Sequence, residues 1–168
     1  MKITIDLTDI FKQQIELDKH IHSNNNLHYD DVLDELKLAL AVELSELANE
    51  VRCFKFWSNK KPSEKNIILE EYVDGIHFIT SLAIAKNVKC FDKLTINFNQ
   101  KQYSKKEITI FFNELFESTN KLNTKLRIIS WYKKYLQLGY ILCFNFDEIK
   151  AAYNRKNEIN HQRQNNNY

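Results

Sequence analysis

The chain has 168 residues, 43% apolar and 27% charged, with 24 Lys and Arg against 22 Asp and Glu for a formal charge of +2. That length buries one ordinary core and predicts a single domain over residues 1–168, and the scattered, nearly balanced charge gives no mandate for nucleic-acid binding. Two glycines and one proline are too few for the turns of a sandwich, barrel or doubly wound sheet, and they exclude a Walker-type phosphate loop or a dinucleotide glycine fingerprint.

The expected fold is therefore an all-α bundle of about five to six helices. A first amphipathic helix fits about Leu7 to Ile21, with Ile10, Phe11, Gln14, Leu17, Asp18 and Ile21 along one side and an Asn-rich break after it. The second is expected from about Asp31 to Trp57, and the third from a cap at Ser63 to about Lys86. Residues 88–103 carry only a weak alternation at Thr95 to Phe98 and receive no regular structure. Helices are expected over about Lys105 to Thr119 and Leu122 to Leu138, with Gly139 either inside the pattern or a C-cap. Asn145 followed by Glu148 reads as a capping pair that opens a last helix from Phe146 to about Gln162.

Two acidic pairs stand out inside apolar helical stretches: Glu43 with Glu46, and Glu71 with Asp74. The i, i+3 spacing puts both members of each pair on one helix face. A carboxylate on the buried side of a helix costs several kcal/mol unless compensated. Hard divalent cations take oxygen ligands, usually carboxylates together with substrate phosphates. Four carboxylates on two facing helices thus point to a Mg²⁺ site and to phosphate chemistry, although either pair alone is as ordinary on a solvated helix face. Cys53, Cys90 and Cys143 are odd in number and far apart, so neither a disulfide framework nor a zinc site is indicated. MKITIDLTDIFKQQ lacks a signal-peptide core, and no apolar run reaches the roughly 18 to 20 residues that span a bilayer. A cytoplasmic protein is expected.

The run Glu43-Leu-Ser-Glu46-Leu-Ala-Asn49-Glu50, then Phe54-Lys55-Phe56-Trp57, then Glu70-Glu71-Tyr72-Val73-Asp74-Gly75-Ile76-His77-Phe78 resembles the dimeric all-α dUTPases of the all-α NTP pyrophosphatase (MazG-like) superfamily. Lys156-Asn157-x-x-Asn160-x-x-Arg163-Gln164 with terminal Tyr168 looks like that family's C-terminal phosphate-binding segment, and Gln14-x-x-Leu17-Asp18 is a weaker third match. Family members commonly carry Gly where Cys143 and Asn167 stand here, and some have Asn at the position of Asp18.

The resemblance implies that Glu43, Glu46, Glu71 and Asp74 hold Mg²⁺, and that Glu46 orients or deprotonates a water attacking the β-phosphorus, giving dUMP and pyrophosphate. It implies phosphate contacts from Lys156, Asn160, Arg163 and Tyr168, with a tail from about residue 157 closing as a lid. Lys156, Asn160 and Arg163 recur at i, i+4, i+7, which by spacing alone is a solvated basic stripe. Nucleoside contacts fall to Gln14, Asp18, Trp57 and His77; without the resemblance, His77 reads as a core histidine and Trp57 as evenly core or base wall. The implied substrate is dUTP, with dUDP open as a second one, and the implied assembly is a homodimer, with neither membrane nor direct nucleic-acid contact. Two alternatives stand beside this reading. One is a MazG-like pyrophosphohydrolase of broader nucleotide choice. The other is a nucleotide-binding regulator that engages a repressor-type partner, with residues 88–103 as the place for such a surface.

Overall fold

A computed structural model of the protein describes residues 1–89 and 93–166. Among these, six helices carry the fold: α1 (Thr8–Asn25), α2 (Leu33–Val51), α3 (Lys65–Ala85), α4 (Lys105–Thr119), α5 (Lys125–Ile141) and α6 (Phe146–Asn165). The all-α expectation holds, with one addition. β1 (Lys2–Ile5) pairs antiparallel with β2 (Leu94–Asn97), Ile3 opposite Ile96 and Ile5 opposite Leu94. Ile5, Leu94 and Ile96 turn inward and are buried, while Thr4 and Thr95 meet across the strands, hydroxyl to hydroxyl at 3.3 Å. Residues 94–97 thus form a strand where none was assigned, because its partner lies some ninety residues earlier in the chain. Cys90, in the same stretch, lies outside the described residues.

Helix boundaries follow from local chemistry. α1 runs through Ser23, Asn24 and Asn25 and stops at Asn26, which takes the left-handed conformation at φ 52°, so the Asn-rich run is the helix end rather than a break before it. α2 stops at Val51, short of the expected Trp57. Arg52 is left-handed at φ 58°, and its guanidinium donates to the Ser58 hydroxyl at 2.8 Å and to the Lys60 carbonyl at 3.3 Å, shaping the following loop. The α3 cap is Glu64, and the Ser63 hydroxyl instead donates to a Glu50 carboxylate oxygen. Asn145 and Glu148 form the expected reciprocal cap of α6.

α3 is the hub, packed against α1, α2, α5 and α6, with Tyr72, Val73, Ile76, Ile79 and Leu82 fully buried. It meets α5 through a reciprocal clamp. Tyr72 donates to the Tyr135 carbonyl at 3.0 Å, Tyr135 donates to the Tyr72 carbonyl at 2.9 Å, and the rings stack at 4.6 Å. Each hydroxyl lies over a glycine of the other helix: a Cβ on Gly75 would sit 2.2 Å from the Tyr135 oxygen, and one on Gly139 2.6 Å from the Tyr72 oxygen. Gly139 is therefore a mid-helix close approach and not a cap. α1 and α6 run parallel at a constant offset of 141 residues, marked by Asp9 with Lys150, Gln13 with Asn154 and His20 with His161.

Candidate active site

α2 and α3 bring one carboxylate oxygen from each of Glu43, Glu46 and Glu71 within 4.8 Å of one another. Glu46 is exposed, whereas Glu43 and Glu71 are half-buried. Asp74, one turn after Glu71, is instead engaged by Lys156 of α6, Nζ to Oδ2 at 2.6 Å. Burial, and then the charges of Asp74, Glu46 and Glu71, push the Glu43 carboxyl up to about 7. Burial and then Asp74 and Glu46 raise Glu71; burial raises Asp74 even with Lys156 beside it. The cluster is thus rich in oxygen donors and held in mutual repulsion that a hard divalent cation relieves.

Beside it opens a cavity of about 330 Å³, lined by Glu43, Asp74, Lys156, Asn160 and Arg163 and also by Gln14, Asp18, Tyr29, His77 and Ser81, with Leu17, Ile21, Leu36 and Phe78 as apolar wall. Gln14, Asp18 and His77 are only 2%, 4% and 5% exposed. They are joined by hydrogen bonds. Gln14 Nε2 donates to Asp18 Oδ1 at 2.8 Å, and Gln14 Oε1 lies 2.8 Å from His77 Nδ1 and accepts from the Tyr153 hydroxyl at 2.7 Å. Ser81 donates to Asp18 Oδ1 at 2.9 Å and Tyr29 to its Oδ2 at 2.8 Å. Burial raises the Asp18 carboxyl, with these three donors opposing. Burial lowers His77 to about 3, so the imidazole is neutral. One cavity therefore joins an acidic and cationic part, suited to phosphates and metal, to a buried hydrogen-bonding part built from an amide, a carboxyl and an imidazole.

A family model described as dUTPase matches residues 6–168. The chain belongs to the all-α dUTPase family. Membership carries dUTP diphosphatase activity and, as a family trait, dependence on a metal ion. A comparison with curated proteins finds no match. No described helix of this dUTPase-family chain is long and apolar enough to cross a membrane.

Most of the residues singled out in the sequence converge on this cavity and the carboxylate cluster beside it. Gln14 and Asp18 come from α1, Glu43 and Glu46 from α2, Glu71, Asp74 and His77 from α3, and Lys156, Asn160 and Arg163 from α6. Trp57 does not join them: it is 64% exposed, edge-on to Phe56 at 5.0 Å and to Phe54 at 5.9 Å, and it does not line the cavity. Tyr168 lies outside the described residues, and residues 157–165 of the expected tail are helical. Three contributors were missed. Ser81 follows His77 by one turn and Tyr153 precedes Asn157 by one turn, so helical spacing from residues already named could have found both. Tyr29 sits in a short 3₁₀ turn, Tyr29–Asp31, with no sequence signal.

Proposed function

We propose that this chain is a Mg²⁺-dependent dUTP pyrophosphatase that yields dUMP and pyrophosphate, limits uracil entry into DNA and works as a homodimer. The observation that carries the reading is the convergence of Glu43, Glu46 and Glu71 beside a cavity whose other walls are Gln14 and Asp18. Gln14 and Asp18 supply amide and carboxylate for a pyrimidine edge, which favours dUTP over the broader nucleotide choice of a MazG-like enzyme.

Glu43, Glu46, Glu71 and Asp74 would hold Mg²⁺, which when bound lowers the pKa of water and offsets charge on the phosphates. Glu46, the exposed member of the cluster, takes the proton of the attacking water as general base. Lys156, Asn160 and Arg163 bind and orient the phosphate chain, and the two cations offset the charge that moves onto the leaving oxygen. Closure of the C-terminal residues with Tyr168 would exclude bulk water. An apolar wall close to uracil C5 would reject thymine by its methyl group. Attack at the β-phosphorus breaks the bond to the bridging oxygen, which leaves with dUMP, while the oxygen of the water stays in pyrophosphate. Hydrolysis in ¹⁸O-water tests this: label in pyrophosphate supports the account, and label in dUMP contradicts it.

The homodimer is supported by apolar side chains that the fold leaves uncovered. Leu38 and Val42 stand one turn apart on α2 at 67% and 44% exposure, and Phe56 is 93% exposed beside Trp57. Light scattering on the intact chain reads the oligomeric state directly.

A further inference from the structure

The buried hydrogen bonds around Gln14 determine which way its amide faces, and with it what the site can ask of a nucleobase. Asp18 Oδ1 also accepts from Ser81, and Oδ2 from Tyr29. With Oδ1 already serving as an acceptor for Ser81, the Gln14 atom 2.8 Å from it is the NH₂ group. The amide oxygen then points the other way, between the Tyr153 hydroxyl and His77 Nδ1. An amide oxygen cannot donate, so both donate to it, the Tyr153 hydroxyl at 2.7 Å in preference to the Ile10 carbonyl 3.3 Å away. His77 consequently carries its proton on Nδ1, and its Nε2, buried without a partner among the described residues, is a bare acceptor. The His77 ring also stacks on Tyr153, centroids 4.2 Å apart, so the two donors brace each other.

We propose that Tyr153 and His77 are positioning residues that fix the Gln14 amide with its oxygen turned inward, so that Gln14 offers the base a single N–H and no acceptor. This rests on the reading of Gln14 and Asp18 as the base-facing pair. Gln14 Oε1 is saturated by two donors and one of its N–H groups is spent on Asp18; the second N–H is what remains. Among the described residues, Asp18 Oδ2 accepts from Tyr29 alone and keeps room for one further donor. The floor of the cavity is thus one donor beside one acceptor. Uracil answers it with N3–H at Asp18 and a flanking carbonyl at the Gln14 N–H; cytosine held in that same pose has no proton at N3, and pairing through its N3 and amino group instead would require the ring to shift by one position. Tyr153 lies on the same helix as Lys156, so the element that faces the phosphates also sets the donor that reads the base.

The test has two readouts on the full-length protein. In wild type, ¹⁵N spectra of the imidazoles, with His77 assigned by its loss in His77→Gln, should show Nδ1 protonated and Nε2 bare; the opposite tautomer overturns the proposal and needs no variant to fold. In Tyr153→Phe the ratio of kcat/KM for dUTP to that for dCTP should fall about 10-fold, the size of one buried hydrogen bond, through KM and with little change in kcat. Gln14→Ala separates the two layers. A ratio lost in Gln14→Ala and kept in Tyr153→Phe overturns the positioning role alone; a ratio kept in both overturns the base-reading role on which it rests.

Discussion

Lys156 of α6 reaches Asp74 of α3, Nζ to Oδ2 at 2.6 Å, and so ties α6 to the carboxylate set. Both side chains are largely buried, 22% and 15% exposed, so the pair is little screened by solvent. With substrate and metal bound, each partner has a second claimant: phosphate for the lysine and cation for the aspartate. Lys156→Met should therefore raise KM for dUTP by about 10-fold or more, the worth of a charge-assisted contact. A steady-state titration reads it, and an unchanged KM would remove Lys156 from the phosphate site.

Proton linkage gives a second expectation. Glu43 ordinarily titrates near 4.5 and is raised to about 7 in the folded chain, so between those values the native state holds a proton that the unfolded state has released. Metal-free stability should then fall as pH rises from about 4.5 to about 7, with Glu71 and Asp74, also raised, acting in the same direction. Added Mg²⁺ should reverse the loss at about pH 8, where the carboxylates are ionised, and do little at about pH 5. Thermal midpoints across pH, with and without Mg²⁺, check this; in Glu43→Gln the metal-free slope should flatten.

The clamp between α3 and α5 predicts a stability effect remote from the chemistry. Gly75→Ala or Gly139→Ala places a methyl group against a buried tyrosine hydroxyl, and overpacking of this kind costs about 1 to 3 kcal/mol. Urea midpoints should drop accordingly in both variants. Glu71 and Asp74 flank Tyr72 on the same helix, so Gly75→Ala should also weaken apparent Mg²⁺ affinity.

The residues that were legible in the sequence are those whose meaning is local. Glu43, Glu46, Glu71 and Asp74 announce themselves by helical spacing inside apolar stretches, and the Asn145 and Glu148 cap is a contact three residues long. What escaped depends on distant partners. β2 is a strand only because Lys2–Ile5 lies beside it. Gly139 could not be read without Tyr72, which crowds it from another helix. The inward turn of Gln14 needs Tyr153, 139 residues away. Arg52 ended α2 early through a left-handed backbone that an arginine does not advertise.

Cys143 offers a similar lesson and a prediction. It follows α5 at φ 65°, a left-handed conformation that costs a residue bearing a Cβ roughly 1–2 kcal/mol. Cys143→Gly should stabilise the fold by about 0.5 to 1 kcal/mol, once the greater freedom of glycine in the unfolded chain is set against the relief. Equilibrium denaturation measures it, with activity unchanged.

The central claim is that the carboxylate cluster hydrolyses dUTP with Glu46 as base. Pyrophosphate and monophosphate release from dUTP, dCTP, dTTP and UTP, with and without Mg²⁺, on wild type and Glu46→Gln, tests it most directly. The account predicts turnover confined to dUTP, dependent on Mg²⁺, and reduced about 100-fold or more in kcat by Glu46→Gln. Equal turnover of all four nucleotides, or full activity in the variant, would contradict it.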